Sequence, residues 1–292
     1  MAKARAIVKR RKAVQNIRKI TRTMQLIATS RYQAAFKRAT ASKPYTDKIS
    51  ELVAQLSRGQ GEVKHPLLKV NTESKKTVQI VITSNRGLCG GYNASLLRET
   101  IAKLREQEAA EQAVDLHVVG KKGIGYFKFL RRAVTSTYTQ FEDKPQFAEV
   151  EPIASALMEA YERGQIDAVD VTYMKFISAG TQRVDTMRLL PIEKQRVEEQ
   201  AGGASAKVRY EVSAAPGALL AERLPETVKI RLFQCFMDAA VSEQVARMVA
   251  MKAATDAAGD MVKSLTRAYN RARQSQITLE LLDIVSGAEA LN

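Results

Sequence analysis

The sequence lacks any long uncharged stretch. The longest, Gly87 to Leu97, has 11 residues, well short of the roughly 20 that a membrane-spanning helix needs. No apolar segment of the secretory kind opens the chain. Its Arg-rich start runs directly into a helical pattern, so it reads as mature protein, of a bacterial-type cytoplasmic chain, and not as a transit peptide.

Cysteine and histidine are equally sparse. Cys89 and Cys235 are the only cysteines and belong to no CxxC pair, so neither a redox motif nor a zinc site is signalled. His65 and His117 stand alone, too few for a metal cluster. No metal site and no cofactor is expected.

Acid is missing from the first 46 residues, which hold 13 Lys and Arg; Asp47 is the first carboxylate. The whole chain carries a formal net charge of +15. A basic block of this kind points to an anionic partner: nucleic acid, anionic lipid or an acidic protein surface. The block has little aromatic interleaving, with Tyr32 and Phe36 the only aromatics in the first 44 residues. That argues against a nucleic-acid arm.

Glycine is absent from residues 2–57, and Pro44 is the one proline there. Ile7, Val14, Ile17, Ile20, Met24 and Ile27, followed by Ala34 and Ala35, recur at helical spacing. The spacing predicts one N-terminal helix over 1–57, kinked or interrupted at Pro44 and stopped by the run Arg58-Gly-Gln-Gly61.

Residues 75–212 alternate. Val78–Thr83, Leu116–Val119, Ala133–Tyr138, Ala168–Ile177 and Thr186–Ile192 read as strands. Asn93–Glu111 (with Asn93 as N-cap), Lys122–Leu130 and Pro152–Arg163 (with Pro152 in the first turn) read as helices. The pattern predicts a Rossmann-like α/β domain with a mostly parallel sheet. Glu142, Asp143, Glu149 and Glu151 read as solvated loop charges, and Glu198–Lys207 as a mobile loop.

From Pro216 to Ala288 only Pro225, Gly217, Gly259 and Gly287 break the pattern. A stripe at alternating steps of three and four runs through Val241, Gln244, Met248, Met251, Thr255, Ala258, Val262, Leu265, Tyr269, Ala272, Gln276 and Leu279. That is coiled-coil periodicity. The seam is thin, with two Leu and no Ile. At about 0.8 kcal/mol per buried methylene, each Leu-to-Ala equivalent gives up a few kcal/mol. Its natural partner is the N-terminal helix, which makes a long antiparallel coiled coil of 1–57 with 216–288.

Catalytic motifs are missing throughout. No Walker A loop, HExxH or GxSxG occurs. Gly120-Lys-Lys-Gly123-Ile-Gly125 follows a strand without the spacing of a dinucleotide fingerprint. A nucleotide enzyme housed in the α/β domain is therefore disfavoured.

Three stretches carry a resemblance. They are Ile17-Arg-Lys-Ile-Thr-Arg-Thr-Met-Gln-Leu-Ile-Ala-Thr-Ser30, the turn Thr83-Ser-Asn-Arg-Gly-Leu-Cys-Gly-Gly-Tyr-Asn93, and the closing region Ser242–Ala288 with EQVARMVAMKAATDAAG and NRARQSQITLELLDIVSGA. In content, order and spacing they resemble the gamma-subunit family of the F-type ATP synthase. The resemblance implies a central rotor shaft without catalytic activity of its own, present in one copy per complex. It would couple ion-driven rotation of a membrane c ring to the cycling of catalytic beta subunits in an alpha3beta3 hexamer, with an epsilon subunit beside the foot and no nucleic-acid partner. It also implies a peripheral position on the cytoplasmic face of the bacterial inner membrane.

By the family's motif, Arg273, Gln274 and Thr278 match residues that contact a beta-subunit loop. Met24, Arg247 and Glu280 match a coupling region, and Tyr210 and Glu211 match a foot segment near epsilon and the c ring. Two departures stand out: Asn85 replaces the usual Asp, and Thr29-Ser30-Arg31 replaces the commoner Ala-Ser-Lys.

Overall fold

The computed structural model describes residues 2–58, 65–71, 76–192 and 216–289, with side chains described over 5–41, 65–71, 76–192 and 223–287. Tyr210, Glu211 and the loop Glu198–Lys207 lie outside these residues.

Helix α1 spans Ala2–Arg58. It is continuous through Pro44, so of the kink or interruption expected there the interruption does not occur; the helix gives up the one bond proline cannot donate. The other elements are β1 Lys76–Ile82, α2 Tyr92–Ala109, β2 Ala113–Val119, α3 Lys121–Phe129, β3 Ser136–Tyr138, α4 Phe147–Glu162, β4 Ala168–Ser178, β5 Thr181–Leu190 and α5 Pro216–Glu289. The chain divides into two compact units, Ser30–Ala246 and the pair Met1–Thr29 with Arg247–Asn292.

In the Ser30–Ala246 unit the five strands form one sheet in the order β3-β2-β1-β4-β5. β1 pairs in parallel with β2 and β4, and β2 in parallel with β3. Only β4 and β5 are antiparallel, joined by a tight hairpin in which Thr181 N–H donates to Ser178 Oγ at 3.1 Å. The expected mostly parallel sheet is therefore present.

The parallel strands need cover on both faces, and their near-continuous apolar runs fit that requirement. Val78, Ile80 and Ile82 of β1 turn to one face. There they meet Val150, Leu157 and Tyr161 of α4 and Leu224, Val228, Leu232 and Phe236 of α5. Val81 turns to the other face with Leu116 and Val118 of β2, against Leu97 and Leu104 of α2 and Phe127 of α3. The first part of the last helix is thus a core helix of this unit.

Two helix starts differ from expectation. The N-cap of α2 is Gly91, not Asn93; the Asn93 side chain is drawn back to the turn, where Oδ1 accepts from Ser84 N–H at 3.0 Å. Helix α4 begins at Phe147, which puts Pro152 inside the helix. Its start is fixed upstream by Gln146 N–H donating to the Glu149 carboxylate at 2.9 Å, a contact the placement of proline alone does not reveal.

Candidate functional site

The unit made of residues 1–29 and 247–292 consists of the two end helices. They run antiparallel, because the cross-helix contacts descend on α5 as they rise on α1. The Arg11 guanidinium lies 5.4 Å from the centre of the Tyr269 ring, Arg18 faces Gly259, and the hydroxyls of Thr21 and Thr255 are 2.8 Å apart. On α5 the expected stripe is the seam: Met251, Thr255 and Ala258 are buried, and Val262, Leu265, Tyr269, Ala272 and Gln276 half-buried. Leu279 is exposed. Extrapolating the register from Arg11–Tyr269 puts residue 280 level with the very start of α1, so the end of α5 runs past its partner.

On α1 the seam differs from the one expected. Ile17, Ile20 and Ile27 are exposed at 53%, 59% and 47%. The inward line is Ile7, Val14, Thr21 and Ala28, a strict seven-residue repeat, with Ala28 at 1% exposure. Where the helices meet at Thr21 and Thr255 the inward side chains are small, and Ile17, Ile20 and Ile27 turn outward.

The named positions fall on this unit as follows. With Thr21 opposite Thr255, Met24 lies level with Met251 and half-buried, and the buried Arg247 sits about a turn further along. Glu280 is 33 positions from Arg247, about 50 Å of helix, so these two charges are not brought together. Arg273, Gln274 and Thr278 are exposed; Gln274 and Thr278 share a face, and Arg273 lies on the adjoining one. The Thr278 hydroxyl donates to the Gln274 carbonyl at 3.0 Å, and Glu280 accepts from Gln276 Nε2 at 2.9 Å. Ile277, Leu281, Leu282, Ile284 and Val285 are exposed around them.

In the Ser30–Ala246 unit, the carboxyl ends of the parallel strands are where an open α/β sheet ordinarily receives a ligand. Here a cavity of about 160 Å³ remains, lined in part by Asn85, Phe141, Asp143 and Glu243, but the chain itself closes the helix end beside it. The backbone N–H groups of Lys121, Lys122 and Gly123, which open α3, donate to Asn85 Oδ1 at 3.0 Å, the Ser84 carbonyl at 3.1 Å and Thr83 Oγ1 at 2.9 Å. Gly120 has φ +93°, and a Cβ there would lie 2.3 Å from the Thr83 carbonyl oxygen. The helix N-terminus that a phosphate would use is thus closed by Thr83-Ser84-Asn85. Asn85 also donates from Nδ2 to the carbonyls of Phe141 at 2.6 Å and Thr139 at 3.3 Å.

Beside this closure, Asp143 is a junction and not the solvated loop charge expected. Its carboxylate pairs with Arg31 of α1, accepts from Gln244 Nε2 of α5 at 2.9 Å, and lies 3.7 Å from Arg86. Sequence reasoning missed this group because its partners lie 101 and 112 positions away.

Burial raises the pKa of Tyr173 and of the Cys235 thiol, which share a hydrogen bond. Among the described residues no group of three or more His, Cys, Asp and Glu could hold a metal, and no helix is long and apolar enough to cross a membrane.

Comparison with known proteins supplies the context. The family model described as ATP synthase matches residues 3–291. The chain is 46% identical over 294 residues to a Rhodopirellula baltica protein named ATP synthase gamma chain, covering 100% of this chain and 99% of that one. It is 38% identical over 292 residues to the protein of that name from Leptospira biflexa, with both chains fully covered. Among solved structures it resembles a chain of the Euglena gracilis mitochondrial ATP synthase in an OSCP/F1/c-ring assembly, with a TM-score of 0.67 at 17% identity over 99% of this chain and 95% of that one. A chain of the rotor of the same enzyme matches with a TM-score of 0.63 at 16% identity, over 94% and 99% of the two chains. At such identities the likeness is one of fold.

Proposed function

Since the chain belongs to the ATP synthase gamma-chain family over its whole length, we propose that it is the central rotor shaft of an F1 sector. In this reading the paired end helices turn inside an alpha3beta3 hexamer. They carry the rotation of a membrane c ring to the catalytic beta subunits, with an epsilon subunit beside the foot. The observation that carries the reading is the full-length relationship at 46% identity. The antiparallel end helices, with a seam of small and polar residues and an outward face of Lys, Arg and Ile, agree with it.

The chain is itself non-catalytic in this scheme. The closed N-terminus of α3 supports that, since the position where a nucleotide phosphate would rest is taken by Thr83, Ser84 and Asn85. Arg273, Gln274 and Thr278 offer exchangeable polar contacts to a beta subunit, each worth about 1 kcal/mol net. Contacts of that size can be made and released in turn as a shaft rotates. Met24 and Arg247 serve the coupling region, Glu280 acts separately near the tip, and Tyr210 and Glu211 belong to the foot. The complex sits as a peripheral assembly on the cytoplasmic face of the bacterial inner membrane.

The test is assembly followed by coupling. A tagged chain is expected to co-purify with alpha and beta subunits and ATPase activity; a tagged chain that brings down no ATPase refutes the proposal. In the reconstituted complex, Met24→Lys is expected to leave ATP hydrolysis in place and to lower the ions pumped per ATP, because it puts a cation into the half-buried seam of a helix that already carries many.

A further inference from the structure

Phe129 is 82% exposed, the most exposed large apolar side chain among the described residues, and its neighbour Leu130 is 44% exposed. They close α3, which brings the chain back from the carboxyl ends of the strands toward the edge where β1 begins. The segment itself carries charge of one sign, and the acid nearest its basic residues is Glu108 at the end of α2, which is held by Arg132. From Leu116 to Phe141 there are five basic residues and no acid. Lys121, Lys122, Lys128 and Arg131 are exposed and make no ion pair among the described residues, while Arg132 pairs with Glu108. The inward face of α3 is spent on Phe127, which packs in the core beneath α2. The result is an exposed apolar helix end flanked by two free cations, Lys128 and Arg131.

We propose that this helix end docks on an anionic phospholipid surface, Phe129 and Leu130 entering the headgroup region while Lys128 and Arg131 meet the lipid phosphates. The chemistry favours lipid over an acidic protein. A stable protein interface wants a broad patch with aromatic anchors seated in pockets, and lysine is depleted from such interfaces. Here the apolar part is two side chains at a helix end, flanked by the free cations Lys128 and Arg131. Interfacial membrane binding asks for a few Phe or Leu side chains amid Lys and Arg, each cation adding attraction to anionic headgroups. The inference goes beyond the shaft reading and does not depend on it.

The chain contains no tryptophan, so Phe129→Trp gives a single reporter at a position open enough to accept it. Ile17→Trp, on the exposed basic face of α1, controls for general adhesion of a cationic chain. With the full chain and vesicles of phosphatidylcholine containing phosphatidylglycerol, emission from position 129 is expected to shift to shorter wavelength. Brominated acyl chains should quench it, and emission from position 17 should change little. Pure phosphatidylcholine vesicles should give no shift. Adding Lys128→Glu and Arg131→Glu to the Phe129→Trp reporter should lower the partition coefficient read at position 129 by more than about tenfold. Water-like emission from position 129 while the chain sediments with anionic vesicles overturns the proposal. So does a reporter silent toward vesicles but buried on contact with an acidic protein. Co-purification with ATPase activity tests the shaft reading separately, so the two ideas fail independently.

Discussion

Gln244 donates its side-chain amide to Asp143 Oδ1 at 2.9 Å, tying the last helix to the loop between β3 and α4. Arg31 of the first helix meets the same carboxylate, and Arg38 donates to the Asp143 backbone carbonyl at 3.4 Å. One side chain thus binds both end helices to the α/β domain. Asp143→Ala removes the acceptor, leaving Arg31 to water and the buried Gln244 amide without a partner. Arg31 is more than a third exposed, so its share is discounted. The expected cost is about 1–2 kcal/mol, or a fall in Tm of roughly 2–8 °C for a chain of this size. Asp143→Asn, which keeps an acceptor for Gln244, should lose less. Thermal unfolding followed by circular dichroism compares the two, and equal Tm values for the alanine variant and the parent would remove Asp143 as a junction.

Asn85 stands where the motif resemblance leads one to expect Asp, and the difference has chemical content. Its Nδ2 donates to the carbonyls of Phe141 and Thr139 while Oδ1 accepts from Lys121 N–H. A carboxylate could do only the accepting, and it would face two carbonyl oxygens. Asn85→Asp is expected to destabilise by about 1–3 kcal/mol at neutral pH. The protonated acid can donate to Phe141, so the folded-state pKa of the introduced Asp rises above its unfolded value. The variant's stability is then fullest below about pH 4 and is lost as pH climbs through the folded pKa. Urea midpoints of variant and parent should diverge with rising pH; a constant gap would contradict the donor role.

How much of this was legible depended on the range of the forces involved. The end helices and the parallel sheet follow from periodicity, which is local, and the last helix showed its seam directly. The first helix shows it only in part. Ile7, Val14 and the small Ala28 stand in the inward line as their spacing and size suggest, but Ile17, Ile20 and Ile27 fit helical spacing as well and belong to another face. The polar Thr21 completes the line, and hydrophobicity gives it no weight. Asn85 and Asp143 were read as turn and loop residues because their partners are distant in sequence. Pro152 misled for the opposite reason, as the helix start was set by Glu149 three residues earlier.

His117 supplies a pH dependence of the opposite sign to that of Asn85→Asp. Burial lowers its pKa below the ordinary 6.5, with Asp115 opposing and Lys76 assisting. The Tyr138 hydroxyl lies 3.3 Å from its Nδ1. The folded state therefore resists the proton that the unfolded chain takes up. Stability from this group is present above the unfolded pKa and is lost as pH falls through about 6.5 toward the folded value. His117→Gln, which retains an acceptor for Tyr138, should flatten that loss. Denaturant midpoints at about pH 7.5 and about pH 5.5 should differ less in the variant; an unchanged difference would assign the acid sensitivity to other groups.

The seam of the end helices makes opposite demands at two neighbouring levels. Gly259 sits in the middle of α5, where glycine costs about 1 kcal/mol relative to alanine. A Cβ placed there meets Arg18 Nε at 3.6 Å and Cζ at 3.7 Å, which is ordinary contact. Gly259→Ala should therefore stabilise by about 0.5–1 kcal/mol and raise Tm by a few degrees. Ala28, by contrast, is 1% exposed at the closest part of the seam, and Ala28→Leu adds three carbons where none fit. It should destabilise by about 1–3 kcal/mol, even though leucine is the residue an ordinary coiled coil prefers at such a position. Melting curves of the two variants decide the matter. A rise in Tm for Ala28→Leu would mean the helices are loosely apposed, and the outward turn of Ile17, Ile20 and Ile27 would then need a cause other than close packing.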